Sequence, residues 1–500
     1  MFNESARARS VAIYGLCIPL AVFLGYLLAT PLDFTSVGTF TLVFFLLSFP
    51  LLLRWHHAWL IATWNTSAML FFVPGKPALW QALAAVSLTI SVLQYTINHR
   101  ARFLSVPSVA RPLLLLTAVI LITARLTGGF SVRILGGDAM GGKRYFEIFA
   151  VIIGYFAITS HRIPQKRANL YVAFFFLGAV TMTISDLPGK ISPALNLLFL
   201  FFPVQSMDAF TNQNSVVEQT ALITRIGGLA SLGGGVFCAM LARYGIREIL
   251  NTAKPWRLAV FGACALAGMA AGFRSLSIMF LLTFALVFYL ERLHYTRLLL
   301  PTILVLLLGG GLLVLFAPRL PLGVQRSLAF LPIPIDPLVR MDAQGSSAWR
   351  LHIWQEVLPQ VPEHLLVGKG YVYSGSEQLT SSDSFAGTEL AGDYHNGPLS
   401  VILPFGIFGA IAFVWLLAAG LRVVYENYQF GDPALHHINT FLFAWFVVRT
   451  IFFFTVFGSL HSDLHEFLGL LALSISVNGG VAKVDQPAAA MDLNTEYVRV

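Results

Sequence analysis

LLLPTILVLLLGGGLLVLF, residues 298–316, runs nineteen positions without a charge. As a helix it is long enough to cross the ~30 Å hydrocarbon core of a bilayer. The rest of the chain agrees. Of 500 residues, 57% are hydrophobic and only 11% charged, and mean hydropathy is +0.74. Soluble domains carry roughly 25% charged residues, and a water-soluble globule of this length could not hide so much apolar surface. The bilayer is the expected solvent for most of the chain.

Working outward, apolar segments of spanning length fall at 10–30, 36–53, 58–74, 79–97, 112–126, 146–160, 169–186, 226–243, 258–273, 275–291, 298–316, 398–420, 438–457 and 466–480. The sequence thus predicts an all-α polytopic membrane protein of about 14 transmembrane helices. Residues 10–30 follow a basic N-terminus like a signal sequence, but no small-x-small cleavage site follows, so they read as a first anchor. Ile191–Val204 is short and broken by Pro193 and Pro203, and fits a re-entrant or interfacial helix. With the N-terminus cytoplasmic, one side collects Arg7, Arg9, Arg54, Arg100, Arg102, Arg111, Arg162, Lys166, Arg167, Arg243, Arg247, Lys254, Arg257, Arg292, Arg297 and Arg422. The short connections opposite hold only Lys76 and Arg274. The positive-inside rule selects this orientation, and it accounts for the net charge of +8 without nucleic acid. Three long segments then face outward: 127–145, 187–225 and 317–397. The domain expectation is a first helix bundle over 1–316, a large, partly helical outer loop over 317–397 before the twelfth span, a last bundle over 398–480, and a cytoplasmic tail, 481–500. Within the loop, Ser346–Pro359 reads as a helix capped by Ser346 or Ser347.

Residues able to carry chemistry gather on the outward side. His395-Asn396 ends the long loop just before a span. An imidazole exchanges its proton near neutrality, which suits a general base; the alternative is a histidine that caps the helix or bonds a loop carbonyl. Arg274 sits at the tight turn between two spans, against the charge bias; an arginine at membrane depth is by default a functional hypothesis, and snorkelling to lipid headgroups is the bland alternative. Arg319, Arg326, Arg340 and Arg350 cluster in the loop, and guanidinium forks match phosphate oxygens; a solvated face or ordinary ion pairing would explain Arg319, Arg326 and Arg340 equally, while its place in the expected helix sets Arg350 apart. Gly268 and Gly272 form a GxxxG suited to helix packing.

Other chemistries lack their motifs. There is no P-loop, strand-borne GxGxxG or HExxH, and no aspartates two apart to hold a metal. His461, Asp463 and His465 share one helical turn, a weak metal pattern. Cys17, Cys238 and Cys264 lie inside apolar runs and make no disulfide framework. No span carries the every-third-residue cations of a voltage sensor.

Three ordered segments resemble the O-antigen ligase and O-antigen polymerase superfamily of bacterial envelope enzymes. They are GFRSLSIMFLL (272–282), SSAWRLHIWQEVLPQVPEHLLVGKGY (346–371) and DYHNGPLSVILPFGIFG (393–409), the last with a His-Asn…Gly-x-x-Gly pattern. The resemblance covers roughly 225–420. It implies a bacterial inner-membrane enzyme with cytoplasmic termini and a periplasmic active site in and beside the 317–397 loop. It implies transfer of a glycan from undecaprenyl diphosphate to an acceptor sugar hydroxyl, with inversion and without metal or other cofactor. Arg274 and Arg350 would bind the diphosphate and His395 would serve the acceptor as base or orienter, with Arg326, Arg319, Trp354 and Asn396 as substrate-binding candidates. The implied partners are the lipid-linked donor, a lipid A–core or growing polysaccharide acceptor, and membrane lipids. Segment 371–394 matches nothing in the family pattern. A repeat-unit polymerase is the close alternative; a lipid-linked glycan transporter would need charges deep in several spans, where Arg449 stands nearly alone; a structural subunit would tolerate loss of Arg274 or His395.

Overall fold

The computed structural model describes residues 15, 18–23, 25, 34–73, 75–97, 103–128, 142–186, 192–203, 225–371 and 394–483. Expectations for most of 10–30, for 372–393 and for the tail beyond Lys483 lie outside these residues. Among the described residues the fold is all-α, with one isolated bridge, Met69 to Ala78, and no strand. The α-helices of six or more residues whose ends are both among the described residues are α1 (Phe34–Thr63), α2 (Leu79–Ile97), α3 (Pro107–Thr127), α4 (Gly142–Thr159), α5 (Ala168–Leu177), α6 (Gly227–Ile249), α7 (Pro255–Ala270), α8 (Arg274–Leu290), α9 (Leu299–Phe316), α10 (Leu322–Ser327), α11 (Pro337–Val357), α12 (Gly397–Phe430), α13 (His436–Thr455) and α14 (Leu460–Asn478). Among the described residues, seven helical stretches are long and apolar enough to cross a membrane: Leu79–Ile97, Pro107–Thr127, Gln165–Asp186, Gly227–Ile249, Leu299–Arg319, Gly397–Phe430 and Pro433–Thr455. Pro255–Ala270 and Arg274–Leu290 are apolar but shorter. The chain is an all-α membrane protein. Within the proline-broken apolar stretch, Pro193–Leu200 forms a short 3-10 helix.

α14 lies at the centre. From Phe467 to Val477 every residue is buried, and it packs against α4, α12 and α13. α9 is the opposite case: it buries no residue at all.

Three elements depart from the hydropathy pattern. Two spans, 36–53 and 58–74, were expected around a polar link at Arg54–His57; one continuous helix, α1, runs through it. The two histidines inside it find partners on neighbouring helices, His56 Nδ1 with Ser87 Oγ at 2.8 Å and His57 Nε2 donating to the Ile158 carbonyl at 2.8 Å. Satisfied this way, they cost the helix little, and the chain turns only after Thr63, at Trp64–Asn65. The loop helix also starts earlier than expected. α11 begins at Pro337 behind Asp336, whose carboxylate accepts from Leu338 N at 2.8 Å. Ser346 and Ser347 are mid-helix, their hydroxyls turned back onto the Ala343 carbonyl. An Asp-Pro start is a strong helix opening, but Gly345 and the mixed polarity around it hide it from periodicity.

The third departure is a break inside α12. Pro404 has no N–H to give, and Gly406 takes φ 63°, ψ −166°, a region open to glycine alone. Helical bonding is replaced by exchange with the loop. Lys369 N donates to the Leu403 carbonyl at 2.8 Å, Gly370 N to the Pro404 carbonyl at 3.0 Å, and Ile407 N to the Leu365 carbonyl at 2.7 Å. The approach is close: a Cβ on Gly406 would lie 2.6 Å from the Leu365 oxygen. Gly368, at φ 85°, turns the loop into this contact. Gly406→Ala is therefore expected to destabilise by about 1–3 kcal/mol through backbone strain. Gly309→Ala, in open space on α9, should be neutral or stabilise by up to ~1 kcal/mol. Thermal unfolding of the detergent-solubilised protein checks both, and a Gly406→Ala variant melting like wild type contradicts the account.

Candidate active site

α11 is the element on which the site is assembled. Ser346, Trp349 and Arg350 stand at i, i+3 and i+4, so they share one face, and each meets a residue from a distant segment. Arg274, the first residue of α8, donates from its guanidinium to Ser346 Oγ at 2.5 Å. Arg350 donates to the Val456 carbonyl at 3.4 Å and lies 5.9 Å from the centre of the Phe457 ring. The His395 ring sits between Trp349 and Phe457, 5.0 Å from each. The three residues singled out from sequence thus gather along two turns of one helix. Their charges interact: Arg326 and Arg350 act on Arg274 against its positive charge, and Asp342 acts in its favour.

Local structure explains why His395 is held there. Its φ is 48°, a conformation uncommon outside glycine and a mark of functional sites when the surroundings enforce it. On one side Trp354 Nε1 donates to the Tyr394 carbonyl at 2.9 Å. On the other Asn396 caps α12, its Oδ1 accepting from Leu399 N at 3.1 Å. Trp354 and Asn396 therefore fix the backbone on both sides of the imidazole.

The turn between α13 and α14 forms the facing wall. Ser459 N donates to Asp463 Oδ2 at 2.8 Å and Leu460 N to Ser400 Oγ at 2.9 Å. Asp463 is itself paired with Arg449 at 2.9 Å, with its side chain 8% exposed. This ion pair secures the turn that supplies Val456 and Phe457.

The other candidates are placed differently. Arg326 is buried, bound to Asp342 at 2.5 Å and donating to the Gly272 carbonyl at 2.5 Å; it ties α10 to α11 and to the turn before Arg274. Arg319 is exposed at the end of α9, over the Phe316 ring. Arg340 donates to the Ile333 carbonyl at 3.2 Å and lines, with Arg274, Leu331, Ile335, Gln344 and Ser347, a cleft of about 410 Å³. His461, Asp463 and His465 part company: His461 bonds Arg144, Asp463 bonds Arg449, and His465 stacks on Trp64 at 4.6 Å. Among the described residues no group of three or more His, Cys, Asp or Glu could hold a metal ion.

Sequence reasoning did not single out Ser346, Asp342, Val456 or Phe457 as site residues. Asp342 lay in view, an acid amid loop arginines; Val456 acts through its carbonyl, which no side-chain pattern reveals. Arg326→Gln leaves Asp342 mostly buried without its partner and is expected to cost ~3–5 kcal/mol, read as lost folded yield and a lower melting temperature. Arg319→Gln should stay within ~0.5 kcal/mol of wild type; equal effects of the two would contradict this division.

No curated protein matches the chain. Residues 258–414 match the model of the O-antigen ligase family. The match runs from α7 into α12 and encloses Arg274, Arg350 and His395, so in this segment the chain is similar to the O-antigen ligase family.

Proposed function

We propose that the protein is an O-antigen ligase-like glycosyltransferase, moving a glycan from undecaprenyl diphosphate to an acceptor sugar hydroxyl at the periplasmic face of the inner membrane. One observation carries this reading: α11 gathers Arg274, Arg350 and His395 into one place, at the start of an apolar helix where a membrane-borne headgroup can reach Arg274. In the proposed reaction the acceptor oxygen bonds the anomeric carbon of the donor sugar from the face opposite the diphosphate. The bond from that carbon to the phosphate oxygen breaks, its electron pair leaves with the diphosphate, and the configuration inverts. The acceptor proton passes to His395, a contribution of about 10²–10⁴-fold for general base catalysis. Arg274 and Arg350 stabilise the charge that grows on the leaving diphosphate, the electrostatic role a metal ion fills in other transferases. Positive charge dominates around Arg274, where Arg326 and Arg350 act with it and Asp342 opposes them, and this suits a dianionic diphosphate diester.

The test is complementation of a strain lacking the enzyme, with membrane levels of each variant matched by immunoblot. Arg274→Ala, Arg350→Ala and His395→Ala are each expected to cut glycan transfer at least ~100-fold. Accumulated lipid-linked polymer identifies the ligase; lipid-linked single repeat units identify a polymerase. Normal glycan from the Arg350→Ala and His395→Ala variants would overturn the enzyme reading.

A further inference from the structure

At the α13–α14 turn there is also a second pair of basic side chains. Arg144, in the first turn of α4, places its guanidinium 3.0 Å from His461 Nδ1 and 5.6 Å from the centre of the Tyr371 ring. Ser459 Oγ lies 2.9 Å from the same imidazole nitrogen. Arginine has donors and no acceptor, so Nδ1 accepts and the ring carries its proton at Nε2. Arg144 forms no ion pair among the described residues. Glu147, on which Lys143 and then Arg144 act by charge, is 3.9 Å from Lys143. A half-buried guanidinium, resting on an aromatic face and bonded to a neutral imidazole, retains its positive charge and fork geometry for an oxyanion.

Its position relates it to the site already described. Val456, which accepts from Arg350, and His461, which accepts from Arg144, are five residues apart, at most ~18 Å even if extended. Gly458, between them, packs against Gly397, the second residue after His395. Tyr371 ends the loop stretch that bonds into the α12 break, and its own N–H is held by Tyr145 Oη at 3.0 Å.

We propose that Arg144 and His461 form a second oxyanion subsite, separate from Arg274 and Arg350. It would take a phosphate or carboxylate borne by the glycan, an identification that rests on the glycan-transfer reading. The subsite selects among glycans by their charge and takes no part in bond breaking.

Binding without turnover tests it, so the result stands apart from whether transfer is observed. The full chain is purified in a maltoside detergent, and inorganic phosphate or sodium glucuronate is titrated calorimetrically at constant ionic strength. The Arg274→Gln/Arg350→Gln variant is expected to keep one saturable site. Adding Arg144→Gln should weaken that site by at least about tenfold, and Arg144→Lys should weaken it less. Tighter phosphate binding points to a phosphorylated glycan, tighter glucuronate binding to a uronic acid. Should the double variant not fold, the same loss is read in the wild-type background, as one fewer site in the Arg144→Gln protein at an unchanged melting temperature. An Arg144→Gln change of less than about twofold for both anions, or no saturable binding to the folded double variant, overturns the proposal.

Discussion

The arrangement depends on one exchange of backbone hydrogen bonds. Where α12 breaks at Pro404–Gly406, the carbonyls of Leu403 and Pro404 lose helical donors, and Ile407 N–H loses its acceptor. In an apolar interior each unmet group would cost several kcal/mol. Residues 365–370 meet all three, and so the segment following α11 is bonded into a membrane helix rather than laid upon it. Closure at this point fixes the C-terminal end of the 317–371 segment. The salt bridge of Arg326 with Asp342 fixes the other. α11 is held between the two.

Held in this way, α11 acts as a jig. Its face of Ser346, Trp349 and Arg350 receives Arg274 from α8, His395 from the approach to α12, and the α13–α14 turn. The last is steadied by Asp463 and Arg449 from within the bundle. An ion pair in that setting adds little net stability by itself. Its value lies in direction, because Asp463 spends its second oxygen on the Ser459 amide and so sets where Phe457 stands. The ring of Phe457 lies against both the guanidinium of Arg350 and the imidazole of His395, so one side chain helps to place a cation and an imidazole side by side.

Much of this was legible in the sequence, for separable reasons. Apolar length marks helices reliably, and α3, α7, α8, α9 and α13 fall where hydropathy puts them, to within a few residues. Arg274 and His395 stand out because each breaks a local rule, one a charge against the topological bias, the other a histidine at a membrane boundary. What stayed hidden is pairing between segments. His56 and His57 look like a polar link until Ser87 and the Ile158 carbonyl are seen beside them. Arg326 looks like Arg350 in sequence, yet it is bonded to Asp342 and Gly272 while Arg350 faces the wall of the site. The break in α12 was foreshadowed by Pro404 and Gly406, but its partner lies more than thirty residues upstream, beyond any local pattern.

The contrast between α9 and α14 carries a consequence for how the chain can vary. Apart from Leu299 and Leu313, which lean on neighbouring clusters, α9 packs on little protein: sufficient greasiness serves at most of its positions, which hold little information. α14 touches protein on every side from Phe467 to Val477, and there shape as well as polarity is specified at each step. Close-packed interiors register the gain or loss of even one methylene. A saturation scan would trace this as two bands, one almost blank and one almost fully restricted, although both helices read as equally ordinary apolar stretches.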